Sequence, residues 1–236
     1  MNELVVTVDT STPAGSVALT RGQELLGEVV LHLRGTHTDR ILNSLNWLLA
    51  EASVRLTDVD AFGVVVGPGS FTGLRVGIAT VKGLAYAGGA PVVEVSSLET
   101  LAMQCPFAAF PVCAMIDARK SEVYGSVFDC RAGEPIALGP EQVLSPQVLL
   151  DRLEGDHLFI GSGALLYADL IRQRLGSRCH FVPWTMDPPR ASAAAVLVVS
   201  RLRAGLAKTA QEIIPRYIRA SEAELMLAAK KAIQSS

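Results

Sequence analysis

The chain has 236 residues, half of them hydrophobic, and 21 basic against 23 acidic side chains give a formal net charge of −2. With a pI near 6.1 and a mean hydropathy of +0.34, it can bury a sizeable core, and tight salt-driven nucleic-acid binding by this chain alone is disfavoured. Four cysteines without C-x-x-C spacing read as thiols of a cytosolic protein, Glu3 ahead of a short apolar run argues against a signal peptide, and no apolar stretch is long enough to span a bilayer.

In chain order, Leu4–Val8, Ser16–Thr20 and Glu24–His32 read as three strands. Short turns, Asp9–Gly15 and one centred on Arg21-Gly22, make them an antiparallel meander. Arg34–Thr38 is a polar loop. Thr38 or Asp39 can cap a helix to about Ala52, with Ile41, Leu42, Leu45, Leu48 and Leu49 as its apolar stripe.

Ala61–Val66 is a valine-rich run of the kind buried on both faces of a sheet. It leads into the turn Gly67-Pro68-Gly69-Ser70 and a helix over about Thr72–Tyr86. At ~100° per residue, Leu74, Ile78, Val81 and Ala85 share one face of that helix, and Val76, Ala79, Gly83 and Tyr86 lie nearly opposite. The first face suffices to dock the helix on its own sheet. The second, built largely of small residues, lets another helix backbone approach closely and is expected to face a partner. Pro91–Val95 is a further strand. Ser96-Ser97-Leu98-Glu99 has capping-box spacing and opens a short helix to about Gln104.

The second half repeats this order. Phe110–Ile116 followed by Asp117 echoes the strand ending at Asp9, and Ser121–Asp129 echoes the second strand. Gly133–Val143 is irregular. Ser145 and Pro146 open a helix to about Leu153. His157–Ile160 and Gly161-Ser162-Gly163 echo the strand and glycine turn before Gly69, and Leu165–Leu175 is the next helix. Pro183–Pro189 is a connector. Ser192 can cap a helix to about Leu206, and Glu222–Lys231 reads as a terminal helix. The expected architecture is therefore α/β: two duplicated βββαβαβ units with mixed sheets, the plan of the actin-like (ASKHA, RNase H-like) fold. Residues 1–105 form the first unit, 106–191 a degenerate second, and 192–236 helices that pack back on the first.

The glycine turn lacks the lysine of a P-loop, because Leu74 and Arg75 follow Gly73. Thr72 sits where a dinucleotide fingerprint needs its third glycine, although Glu94 follows at the right distance, so a dinucleotide module using Gly67, Gly69 and Glu94 stays an alternative.

The segment GPGSFTGLRVGIATVKGLAY, from Gly67 to Tyr86, resembles the hallmark of the TsaB (YeaZ) family, and VVTVDTSTPAGSVAL, from Val5 to Leu19, resembles that family's first hairpin. The resemblance covers roughly Leu4 to Arg219 and weakens after Leu101. It implies an actin-like fold and a non-catalytic partner of TsaD, joined by the ATPase TsaE in a larger complex. It also implies a role in forming threonylcarbamoyl-adenosine next to the anticodon of tRNAs that read codons beginning with A, from an adenylate that TsaC makes. Contact with tRNA is then only indirect, and a homodimer forms when TsaD is absent. The expected interface is Leu74, Val76, Ile78, Ala79, Gly83 and Tyr86, with Leu45 and Leu49 on the neighbouring helix.

In the actin-like plan the first hairpin turn holds phosphate. Asp9, Thr10, Ser11 and Thr12 sit there, with Gly67, Gly69, Ser70, Asp117, Gly161 and Gly163 completing a vestigial nucleotide or anion site. The simpler reading is that Asp9 and Ser11 bond their own turn. No cofactor is expected, with ATP or ADP at a subunit interface as the alternative, and no metal is expected. The TsaD family carries an H-x-x-x-H pair on its first long helix, whereas here His37 stands alone and reads as a surface or capping group. Ser70 lacks the G-x-S-x-G elbow of a hydrolase, and no peptidase constellation is present. The rival to a partner protein is a small ATPase or kinase using Asp9, Thr10–Thr12 and Asp117.

Overall fold

The computed structural model describes residues 2–32 and 37–219, without the side chains of residues 37–39. The first sheet has the order β3-β2-β1-β4-β5. Its strands are β1 (Leu4–Asp9), β2 (Gly15–Arg21), β3 (Glu24–Leu31), β4 (Ala61–Val65) and β5 (Val92–Val95). The meander pairs antiparallel, and β1, β4 and β5 run parallel. Period-two alternation sorts β1 onto two layers: Leu4, Val6 and Val8 face one core, and Val5 the other.

Helices α1 (His37–Glu51) and α2 (Phe71–Gly88) cover the first of these faces. Ser70 caps α2 by accepting a hydrogen bond from Gly73 N (3.2 Å), and Gly89 ends it in the left-handed region at φ +68°. The cap expected for α1 at Thr38 or Asp39 falls inside the helix, which already includes His37, and the residue that precedes the helix lies outside the described residues.

The second sheet repeats the plan with the order β11-β10-β6-β7-β8. Its strands are β6 (Val112–Arg119), β7 (Glu122–Asp129), β8 (Ile136–Ala137), β10 (His157–Ile160) and β11 (Cys179–Phe181), and β9 (Gln142–Leu144) also pairs with β7. The irregular stretch therefore does supply the third strand's place, in two short pieces. Helices α4 (Pro146–Leu150), α5 (Ser162–Leu166) and α6 (Ala168–Leu175) follow the expected order. The single helix expected over Leu165–Leu175 is instead two helices with a break at Tyr167, the first starting directly after Gly161. Strand β11 went unread in the sequence, since it is three half-buried residues with a histidine in the middle.

Two helices exchange places. The capping box of Ser96 and Glu99 opens α3 (Ser97–Met103), whose Leu98, Leu101 and Ala102 pack on Val112, Ala114 and Ile116 of the second sheet. In return α7 (Ala191–Arg203) lays Ala194, Leu197 and Val198 on Val5, Val65 and Val93 of the first. Ser192 does not cap α7. The first sheet does so instead: Ala191 N donates to Ser16 Oγ (2.9 Å) and Ser192 N to Glu28 Oε1 (2.9 Å). The terminal helix expected over Glu222–Lys231 lies outside the described residues.

The seat of α7 depends on Gly63 in β4. A Cβ there would lie 2.5 Å from Val198 Cγ2 and 2.8 Å from Thr7 Oγ1, inside a core without slack. Gly63→Ala is expected to lower unfolding free energy by about 1–3 kcal/mol in urea titrations. A variant as stable as the parent would contradict this packing.

Candidate functional site

The turn between β1 and β2 lies against the start of α2. Ser70 N donates to Ser11 O (2.7 Å), and Thr10 Oγ1 donates to Gly73 O (2.7 Å). Three glycines make this approach feasible. A Cβ on Gly69 would stand 2.1 Å from Ser11 O, one on Gly73 2.1 Å from Thr10 O, and one on Gly77 2.2 Å from Thr10 Oγ1. The glycine turn between β4 and α2, held by the β1–β2 turn on one side, is covered on its other side by the C-terminal segment: Arg216 N donates to Val66 O (2.8 Å), and a Cβ on Gly67 would meet Arg216 O at 2.8 Å.

The turn that resembles a phosphate loop is thus filled by protein on both sides. Glu94, the acid of the dinucleotide alternative, is held by Lys208 Nζ at 2.5 Å. That alternative is corrected accordingly: Gly67 and Gly69 accommodate this chain's own backbone, and Glu94 faces a lysine.

Asp9, Thr10, Ser11 and Thr12 are all buried. Asp9 Oδ1 accepts Ser11 N at 2.7 Å, the local turn bond that the simpler reading expects, and Thr12 Oγ1 donates to Ala14 O (3.2 Å). Among the described residues, Asp9 Oδ2 and Ser11 Oγ have no hydrogen-bond partner. Burial pushes the Asp9 carboxyl up to about 6, against the smaller opposing pull of Ser11.

Asp117 belongs to a second cluster. Its Oδ1 accepts Arg119 N (2.8 Å), its Oδ2 is 3.2 Å from Arg119 Nη1, and its own N donates to Ser162 Oγ (3.2 Å). Gly161, at φ +102°, and Gly163 press on β6, where Cβ atoms would meet Met115 O at 2.5 Å and Met115 C at 3.0 Å. No hydrogen bond joins this cluster to Asp9–Thr12 among the described residues. Nor do these residues contain a group of three or more His, Cys, Asp or Glu side chains that could hold a metal ion. The side chain of His37 lies outside them.

The expected interface separates into two sets. Leu74 and Ile78 are buried against the sheet, and Leu45 and Leu49 of α1 belong to the same core. These four are corrected from surface to core: they form the stripes that dock α1 and α2. Among the described side chains of α1, Trp47 is a large hydrophobic one left in solvent. Val76 is partly buried, Ala79 and Gly83 are exposed, and Tyr86 is 73% exposed. A Cβ on Gly83 would meet no described residue within 4 Å.

The flank of α2 beside this face is occupied by residues 211–217, part of the 192–236 region expected to pack back on the first unit as helices, here an irregular stretch apart from its first turn. Lys82 Nζ donates to Ile213 O (3.0 Å) and Gln211 O (3.3 Å). Arg75 Nε donates to Tyr217 Oη (2.9 Å), the Arg75 guanidinium lies 3.9 Å above the Phe71 ring, and Phe71 stacks on Tyr217 at 4.9 Å. The segment has no periodicity to announce it. Arg75 and Lys82, which lie together between the two apolar faces of α2 at ~100° per residue, both bond it.

A family model described as TsaD, tRNA N6-adenosine threonylcarbamoyltransferase, matches residues 32–227. The "tRNA threonylcarbamoyladenosine biosynthesis protein TsaB" of Bacillus subtilis is 30% identical over 226 residues, 93% of this chain and 96% of that protein. The chain belongs to the TsaB family. The solved structure of YeaZ from Pseudomonas aeruginosa superposes with a TM-score of 0.79 at 33% identity, covering 91% of this chain and 99% of that one. At 13% identity, component A of the (R)-2-hydroxyglutaryl-CoA dehydratase of Acidaminococcus fermentans reaches a TM-score of 0.50, over 86% of this chain and 99% of that one. That likeness concerns the fold alone, which is actin-like. No helix among the described residues is long and apolar enough to cross a membrane.

The Asp9 carboxyl gives this TsaB-family chain a pH signature. From about pH 4 to about pH 6 the unfolded chain releases the proton and the folded chain keeps it, so stability falls as pH rises and levels off above the folded value. The rise from 3.8 to about 6 corresponds to about 3 kcal/mol at most. Asp9→Asn, which keeps an acceptor for Ser11 N, is expected to flatten that decline in unfolding free energies measured between pH 4 and 7. Parallel profiles for variant and parent would contradict the assignment.

Proposed function

We propose that this chain is a non-catalytic partner and activator of TsaD in the formation of threonylcarbamoyl-adenosine next to the anticodon of tRNAs reading codons that begin with A. TsaE joins in a larger complex, tRNA is met only through the partners, and the setting is the cytoplasm. The names of the curated relatives support the pathway. The filled glycine turn supports a partner over an ATPase or kinase, since the turn is spent on holding α2 in place.

One observation carries the partner role. Gly83 lies in the interior of an 18-residue helix, where glycine costs roughly 0.5–1 kcal/mol relative to alanine. Glycines 69, 73 and 77 are accounted for by contacts within the chain; a Cβ on Gly83 would meet no described residue within 4 Å. Its value lies outside the chain, where a second helix backbone could approach Ala79, Gly83 and the side of Tyr86. TsaD is the occupant we assign, and a second copy of this chain takes the same face when TsaD is absent.

Two substitutions test this. Gly83→Ala is expected to raise the stability of the isolated chain by roughly 0.5–1 kcal/mol, because helix propensity improves and nothing is displaced. Gly83→Trp is expected to leave the isolated fold intact and to abolish co-elution with TsaD in gel filtration. A Gly83→Trp protein that binds TsaD like the parent would remove the assigned face.

A further inference from the structure

The segment from Ile213 to Arg219 touches three parts of the molecule in seven residues. On the first half, Ile213 is buried in the core beneath α2, Arg216 N pairs with Val66 O, and Tyr217 is held by Phe71 and Arg75. On the second half, Arg219 Nη1 donates to Ala118 O (2.7 Å), and its other terminal nitrogen pairs with Glu122 across the β6–β7 hairpin. Between the halves, Arg216 Nη1 lies 3.3 Å from Glu141 Oε2, and Glu141 accepts the hydroxyl of Ser96 in the loop before α3.

These contacts differ in kind. Those to the first half are backbone and aromatic, and they border the bare face of α2. Those to the second half run through two arginine side chains that end on a buried carboxylate, a carbonyl and a hairpin acid. Arg216 meets the Glu141 carboxylate as an ion pair without a hydrogen bond, and burial outweighs its pull and pushes that carboxyl up, so Arg219 is the stronger of the two ties.

We infer that residues 213–219 are a clasp that couples the partner face of α2 to the β6–β7 hairpin, so that occupancy of that face and the angle between the two sheets bias one another. The coupling to a partner rests on the function proposed above; the clasp itself does not. Coupling of this kind is reciprocal: whatever the partner does to the hairpin, fixing the hairpin does to the partner's affinity.

Hydrogen exchange tests both parts. In the protein alone, the double variant Arg216→Ala, Arg219→Ala is expected to exchange at least tenfold faster at residues 118–122 and 139–141, with α6 unchanged. Acceleration confined to residues 214–219 would overturn the clasp. If the double alanine variant is loosened throughout, Arg216→Lys with Arg219→Lys, which keeps both charges, is read instead against the same two outcomes. Adding purified TsaD is then expected to slow exchange at 118–122 in the parent, and to protect α2 but not the hairpin in the variant. Hairpin protection that survives in the variant would overturn the coupling. Absence of protection on α2 would remove the partner reading, and the coupling with it, while the experiment on the protein alone still decides the clasp.

Discussion

The rest of the structure depends on how closely the β1–β2 turn can approach α2. Thr10 and Ser11 press their backbone against a helix whose near side is Gly69, Gly73 and Gly77, where any side chain would fall within about 2 Å of a turn atom. The hydrogen bonds from Ser70 N to Ser11 O and from Thr10 Oγ1 to Gly73 O then fix the helix in register with the hairpin. Two consequences follow from this one contact. The glycine turn is filled, and α2 is locked with Leu74, Ile78 and Val81 toward the sheet and Val76, Ala79 and Gly83 away from it.

The same contact explains a buried carboxyl. Asp9 ends β1 under the turn, with one oxygen spent on Ser11 N and the other without a partner among the described residues. Such a group is tolerated because it can hold a proton at modest cost, and burial moves it toward doing so. Asp117 lies in the corresponding place of the second half, yet it is tied to Arg119 and Ser162 rather than presented to Asp9. Asp9 bonds its own turn, and Asp117 bonds Arg119 and Ser162.

Much of this was legible in the sequence because it is local. The meander, the valine run, the capping box at Ser96 and the proline start of α4 each follow from neighbouring residues. The two faces of α2 followed from periodicity, and the sheet-facing one was correctly separated from the bare one. The interface expectation nevertheless took in Leu74 and Ile78 from the docking face, and Leu45 and Leu49 from the α1 stripe, and the fold places all four inside. The exchange of α3 and α7 between sheets, the cap that Ser16 and Glu28 give α7, and the C-terminal segment along α2 rest on contacts between residues far apart in the chain. None of them leaves a repeating pattern. The acceptors of Arg75 and Lys82 are a tyrosine hydroxyl and two carbonyls more than 120 residues away.

The central claim is that the outer face of α2 is where TsaD sits. Thiol labelling of an Ala79→Cys variant tests it directly, with the parent as the blank; its cysteines are buried except for the half-buried Cys179. The account predicts rapid labelling of the introduced thiol in free protein diluted until gel filtration shows a monomer, and at least a tenfold slower rate once purified TsaD is bound. An unchanged labelling rate in a sample shown to contain the complex would contradict it.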